Sequence, residues 1–317
     1  MRIVFMGSPV FAATILSRCL EADFLEIAAV YTQPPREAGR GMALRPTAVH
    51  ALAEAAGLPV FCPRSLRHPD VQAELASFGA EAIVVVAYGL WIPTEVLAMP
   101  RYGCINVHPS LLPRWRGASP MVYPLLMGES ETGTSIMRMD EGWDTGPILW
   151  QAKTLLDGTT TAASLHDALA EQGGTGLLEV LGRFARGEKV TEHPQEDAGV
   201  SHAPKLSKDL GVLDLGKQHA QELERWVRAL HPWPGTRVTL GGIPLLVHAS
   251  RWQPRPLGSK EVPVGCFAAD PLWIGTVGDQ WWMPTVVQRP GKKPQGVESF
   301  LNGVRWQSGQ LLWEPDA

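Results

Sequence analysis

The chain has 317 residues, 45% of them hydrophobic and 19% charged, with a formal net charge of −4. Single cores rarely grow past about 250–300 residues, so this length predicts two domains, and the composition excludes a disordered chain. Residues 1–199 hold 15 Lys/Arg against 22 Asp/Glu and residues 200–317 hold 13 against 10, a bias that fits either a polyanion-facing second part or an uneven surface.

Residues 3–6 are a short apolar run, ended by Gly7-Ser8-Pro9, and they read as a first strand rather than as a signal or transit peptide. Phe11, Ile15 and Leu16 then recur at helical spacing. A second strand over 27–32 ends in Gln33-Pro34-Pro35; a helix over 48–56 is stopped by Gly57, and a strand over 58–61 follows. A helix over 69–78 precedes 82–87, whose unbroken Val/Ile character marks a strand buried on both faces. The alternation predicts an α/β fold with a doubly wound, mostly parallel Rossmann-like sheet, which binds ligands beyond the C-terminal ends of its strands. The first loop lacks Gly-x-Gly-x-x-Gly and no strand is followed by Gly-Lys-Ser/Thr, so neither a dinucleotide nor a nucleoside triphosphate is indicated.

Past a Gly-rich helix over 165–181, the polar stretch 187–199 reads as a linker. A short helix over 218–230 and Pro/Gly-punctuated strands over 236–240, 244–249 and 273–277 predict a small OB-like β-barrel. The expected division is a first domain over 1–190, a linker over 191–205 and a second domain over 206–317. No window approaches the ~20 apolar residues of a membrane span, so a cytoplasmic protein without membrane contact is expected. Cys19, Cys62, Cys104 and Cys266 are scattered, with no Cys-x-x-Cys or zinc-spaced cluster, and no metal is expected.

The densest polar cluster in the first part is Cys104-Ile105-Asn106-Val107-His108-Pro109-Ser110. On a strand, Asn106 and His108 project to one side. Downstream, Gly142-Trp143-Asp144-Thr145-Gly146 sets one carboxylate in a tight loop. An amide, an imidazole and a carboxylate suit acyl transfer to an amine, which needs proton removal and donors for a developing oxyanion. Taken on residue pattern alone, His108 is also readable as a core histidine, Asp144 as a turn residue and Cys104 as a nucleophile.

Asn106-Val107-His108-Pro109-Ser110-Leu111-Leu112-Pro113, followed by Arg114-Trp115-Arg116-Gly117-Ala118-Ser119-Pro120, resembles the signature of folate-dependent formyltransferases. The segment 137–146, Met-Arg-Met-Asp-Glu-Gly-Trp-Asp-Thr-Gly, resembles their second signature. Thr32-Gln33-Pro34, Gly39-Arg40-Gly41, Ala87-Tyr88-Gly89, Ala203-Pro204-Lys205-Leu206-Ser207-Lys208 and Pro232-Trp233-Pro234-Gly235 are similar to segments of those members that act on initiator tRNA. The likeness runs from Met1 to about Val304. It implies catalysis by Asn106, His108 and Asp144, and a reduced-folate site lined by Ser110, Leu111, Leu112 and Pro113 with Tyr88 nearby. It implies 10-formyltetrahydrofolate as donor and the α-amine of methionine on initiator tRNA as acceptor, with the first domain catalytic, the second tRNA-binding, and the protein monomeric.

The family's loop after Gly-Arg-Gly is rich in lysine, whereas Met42-Ala43-Leu44-Arg45 follows here, leaving Arg40 and Arg45 as tRNA contacts beside Lys205, Lys208, Lys292 and Lys293. His231 stands where the family has Asn before Pro-Trp-Pro. Eight of the twelve tryptophans lie after residue 200, Trp281, Trp282 and Trp306 among them, placed either to stack on bases or to pack a core. A formyltransferase acting on a small amine and a tRNA-binding protein without catalysis remain the competing readings.

Overall fold

The structure is a computed structural model that describes residues 1–38 and 43–315. The chain folds into two compact units, Met1–Met121 with Glu131–Leu155 and Leu165–Ala203, and Val122–Ser130 with Leu156–Ser164 and Pro204–Ala317.

The first unit is built on a seven-stranded sheet. Its strands are β1 (Arg2–Gly7), β2 (Glu26–Tyr31), β3 (Val60–Phe61), β4 (Ala82–Val86), β5 (Cys104–His108), β6 (Glu131–Arg138) and β7 (Ile148–Leu155). They lie in the order β7-β6-β5-β4-β1-β2-β3. All pairings from β5 to β3 are parallel; β6 runs antiparallel to β5, and β7 antiparallel to β6. Ile3–Met6 and 82–86 are buried, as strands covered on both faces must be. The order reverses between β1 and β4, which opens a crevice beyond their C-terminal ends. Helices α1 (Val10–Leu20), α2 (Ala48–Ala55), α3 (Pro69–Ser77) and α4 (Ala162–Ala185) bury Phe11, Ile15 and Leu16, Val49, Leu75, and Leu165, Leu169 and Leu177 respectively. A hairpin pairs Arg36 with Arg45, and Arg40 lies outside the described residues.

The stretch 187–199, whose polar sequence suggests a linker, is instead fastened to the first unit. His193 forms a two-way backbone bridge with Ile148, and Gln195 donates to two carbonyls of the loop after β6. His202–Ala203 then pairs with Arg116–Gly117.

The second unit holds α5 (Ala220–Leu230) and an antiparallel sheet. Its strands are β8 (Thr236–Leu240), β9 (Ile243–Pro254), β10 (Phe267–Ala269), β11 (Trp273–Thr276) and β12 (Gln280–Gln288), ordered β8-β9-β12-β11-β10. Register shifts between Val247 and Ser250 mark bulges, which bend a long strand. Among the described residues β8 and β10 do not pair directly. The segment 310–313 lies between those sheet ends: Leu312 accepts from Gly241 N–H and donates to the Gly265 carbonyl, and Gln310 accepts from Phe267 N–H. Trp282 is fully buried at the centre of this core, with Leu223, Val238, Leu245 and Phe300 around it, and Trp306 packs against the same cluster. Those tryptophans therefore serve packing.

Candidate active site

Asn106 and His108 sit on β5 with Val85 and Met137 beside Asn106 and Ser135 beside His108. The alternation of the strand puts both side chains on one face. His108 is 4% exposed. Its Nε2 lies 3.0 Å from the Trp115 carbonyl oxygen, which only accepts, so Nε2 carries its hydrogen. The other ring nitrogen, Nδ1, faces Asp144 Oδ1 at 3.6 Å. That spacing is looser than a hydrogen bond.

Asp144 has φ +56°, a left-handed conformation that side chains seldom adopt, and the loop around it is tightly fixed. Asp140 Oδ1 accepts from Gly142 N–H at 3.0 Å and from the Thr145 hydroxyl at 2.7 Å. A Cβ at Gly142 would lie 1.9 Å from that hydroxyl oxygen, and one at Gly146 would lie 1.9 Å from the Arg138 carbonyl oxygen, so both positions exclude side chains. Asp144 Oδ2 accepts from Gly117 N–H at 2.8 Å. Gln195 Nε2 donates to the carbonyls of Asp144 (2.8 Å) and Gly146 (2.7 Å), and its Oε1 accepts from Arg116 Nε and Nη2 at 3.0 and 2.7 Å.

Asn106 and Asp144 line a cavity of ≈360 Å³. Its apolar wall comes from Val85, Leu90, Ile92, Met137 and Met139, and Tyr88 also lines it. Among the described residues the Asn106 amide has no side-chain partner. Two tryptophans that sequence reasoning did not single out stand there as well: Trp91, 46% exposed, and Trp143, 70% exposed, with ring centroids 6.5 Å apart and planes 38° apart. Tyr88 is buried, its phenol is pushed up by desolvation, and its Oη has no partner among the described residues. A second concavity of ≈630 Å³ shares Ala87, Tyr88 and Gly89 with the first and is lined by Ser8, Gln33, Arg36 and Arg45.

Ser110, Leu111, Leu112 and Pro113 do not line the ≈360 Å³ cavity. They form a turn tied inward. Ser110 Oγ donates to the Arg114 carbonyl at 2.6 Å, Ser135 Oγ donates to the Ser110 carbonyl at 2.6 Å, and Leu112 N–H donates to Ser135 Oγ at 3.1 Å. Gln151 Nε2 donates to both the Leu112 carbonyl and Ser135 Oγ, at 3.0 and 2.8 Å. The turn sets where the Trp115 carbonyl meets His108. Cys104 is no nucleophile: burial pushes its thiol up to about 12, and Sγ lies 3.6 Å from the Val96 carbonyl oxygen. Lys205, Lys208, Lys292 and Lys293 are exposed on the second unit. Among the described residues no group of three or more His, Cys, Asp or Glu could hold a metal, and no helix is long and apolar enough to cross a membrane.

Residues 1–181 match the formyl transferase family, and residues 205–305 match its C-terminal domain. The chain belongs to the formyl transferase family. A methionyl-tRNA formyltransferase of Marinobacter nauticus is 42% identical over 304 residues, covering 96% of each chain. HypX from Aquifex aeolicus, solved in complex with tetrahydrofolic acid, aligns with a TM-score of 0.60 at 18% identity. That alignment covers 99% of this chain and 51% of HypX, so this formyl transferase spans about half of HypX's length. An N-formyltransferase from Helicobacter canadensis, solved with folinic acid and dTDP-3-aminofucose, aligns with a TM-score of 0.65 at 14% identity, over 89% of this chain and 98% of that one. At such identities both likenesses speak to the formyl transferase fold alone.

Proposed function

We propose that the chain transfers the formyl group of 10-formyltetrahydrofolate to the α-amine of methionyl initiator tRNA, giving N-formylmethionyl-tRNA for translation initiation. The observation that carries this reading is the meeting of three groups in one place: His108 Nδ1 is 3.6 Å from Asp144 Oδ1, and Asp144 shares its cavity with the Asn106 amide. The near-full-length likeness to a methionyl-tRNA formyltransferase supports tRNA as the acceptor.

The cavity suits a reduced folate. A volume of ≈360 Å³ with apolar walls, two tryptophan faces and one unengaged amide matches a flat ring system with a polar reacting group. Tyr88, Trp91 and Trp143 contact it in this reading, while Ser110, Leu111, Leu112 and Pro113 act by holding the turn that positions His108. When bound, 10-formyltetrahydrofolate supplies a formyl carbon activated on N10. Asn106 donates its amide N–H to the formyl oxygen as negative charge gathers there. Asp144 takes a proton from the attacking amine, directly or through one water. Asp144 hands that proton to His108 Nδ1, 3.6 Å from Oδ1, and His108, its Nε2–H fixed on the Trp115 carbonyl, delivers it to the departing nitrogen.

In this reading the unit built on the seven-stranded sheet, which runs through Ala203, is catalytic, and the unit that holds Pro204–Ala317 binds tRNA, in a cytoplasmic monomer. Arg40, Arg45, Lys205, Lys208, Lys292 and Lys293 meet phosphates. The test is transfer of label from 10-formyltetrahydrofolate to charged initiator tRNA, charged elongator tRNA and a small amino-sugar nucleotide. Label on initiator tRNA alone supports the reading; label on the amino sugar alone overturns the acceptor, and no release of formyl at all overturns the chemistry.

A further inference from the structure

The second unit contains a cavity of its own, ≈490 Å³, that the formyl-transfer reading does not use. Four segments wall it. The α5 face contributes Gln221, Glu224, Arg225 and Arg228, strand β9 contributes Ser250, Arg251 and Trp252, and the rest comes from 125–130 and 156–158. Its charges are unevenly engaged. Glu224 is paired with Arg228 Nε at 2.6 Å, and Arg228 Nη1 also donates to the Thr160 carbonyl. Asp157 Oδ1 accepts four bonds, from the backbone N–H and hydroxyl of both Thr159 and Thr160 at 2.8–2.9 Å. Glu129 has a partner of its own.

The donors are left over. Arg225 approaches Glu222 only at 3.8 Å, and its buried Nε has no hydrogen-bond partner. The guanidinium is pinned against Gly128, where a Cβ would lie 3.0 Å from its Cζ. Ser250 Oγ is likewise buried without a partner, and exposed Arg251 has none among the described residues. A buried guanidinium N–H without an acceptor is costly, and the paired oxygens of a phosphate or carboxylate are its natural complement. The Trp252 indole, packed in part against the core of the second unit, also lines the cavity beside these donors.

We propose that this cavity binds a phosphorylated nucleoside, with the phosphate on Arg225, Arg251 and Ser250 and the base against Trp252. The phosphorylated nucleoside is either a free mononucleotide or one unit of a tRNA chain, and one experiment separates the two. Adenosine 5′-monophosphate is titrated calorimetrically into the full chain at low ionic strength, beside inorganic phosphate, with Arg225→Gln and Arg251→Gln as variants and thermal melts to verify folding. Saturable one-to-one binding, weakened about tenfold or more by exposed Arg251→Gln, supports the site. Displacement of the nucleotide by uncharged initiator tRNA assigns the site to a tRNA unit; persistence of binding assigns it to a free nucleotide. Absence of saturable binding, displacement by tetrahydrofolate, or binding unchanged in both folded variants overturns the proposal. Formylation is not the readout, so this outcome is independent of the proposed activity.

Discussion

Gln195 holds Asp144 by its backbone: the side-chain amide donates to the Asp144 carbonyl at 2.8 Å while the Asp144 carboxylate is left to face His108. Arg116 in turn fixes the Gln195 amide through two bonds. The carboxylate is thus positioned by a residue fifty-one positions downstream. Gln195→Ala removes these bonds and lets the 140–146 loop move. A displacement near 1 Å costs about tenfold to a hundredfold in rate. The expected result is a fall in kcat of that size with little change in KM for the donor, measured by steady-state formylation; an unchanged kcat removes Gln195 from the positioning role.

Trp91 and Trp143 are large, exposed rings at one cavity, an arrangement that leaves apolar surface in water until something flat covers it. Binding of tetrahydrofolate is expected to quench tryptophan fluorescence, with the quench reduced in Trp143→Leu and in Trp91→Leu. Loss of one stacked ring is worth about 0.5–1.5 kcal/mol beyond its area, so KM for the donor rises by about threefold to tenfold with kcat nearly unchanged. Equal quenching in wild type and both variants places the rings away from the donor.

Much of this arrangement is legible in sequence, and the rest is hidden for physical reasons. Continuous apolar runs announce β1 and β4 because both faces are buried, and the two-residue spacing of Asn106 and His108 fixes their common side. Strand β6 is hidden because its buried positions include Thr132, Thr134 and Ser135, which carry no hydrophobic signature; Thr134 donates to the Leu169 carbonyl and Ser135 to the Ser110 carbonyl, contacts distant in sequence. Gln195 sits in a polar stretch without periodicity, and its value lies in contacts forty-nine to seventy-nine residues away. Ser110–Pro113 adjoins His108 in the chain, yet the turn folds toward Ser135 and Gln151 instead of the cavity. The grouping of Val122–Ser130 and Leu156–Ser164 with the second unit is equally non-local, and no composition shift marks it.

Cys104 adjoins the site in sequence and has no chemical part in it. With its thiol pushed up to about 12 by burial, it carries almost no thiolate at neutral pH. Cys104→Ala is expected to change kcat by less than about threefold, whereas loss of a nucleophile costs several orders of magnitude. A collapse of activity in a folded Cys104→Ala protein, checked by circular dichroism, contradicts this.

If Arg40, Arg45, Lys205, Lys208, Lys292 and Lys293 each meet one phosphate, log affinity for charged tRNA falls against log salt with a slope of about −5. Lys205→Ala or Arg45→Ala then lowers that slope by about 0.9. A filter-binding series across salt concentrations measures both. Affinity that ignores salt, or variants that follow wild type, moves the acceptor from tRNA toward a small amine while leaving the formyl chemistry in place.

The trio is tested most directly by single-turnover formyl transfer to charged initiator tRNA in wild type and Asp144→Asn, with donor binding followed in parallel by tryptophan fluorescence. Asparagine keeps the shape of the side chain and its bond from Gly117 while losing the proton acceptor beside His108 Nδ1. The predicted result is donor binding close to wild type and a transfer rate lower by about 10² or more. A variant that transfers formyl at the wild-type rate contradicts acid–base catalysis through Asp144.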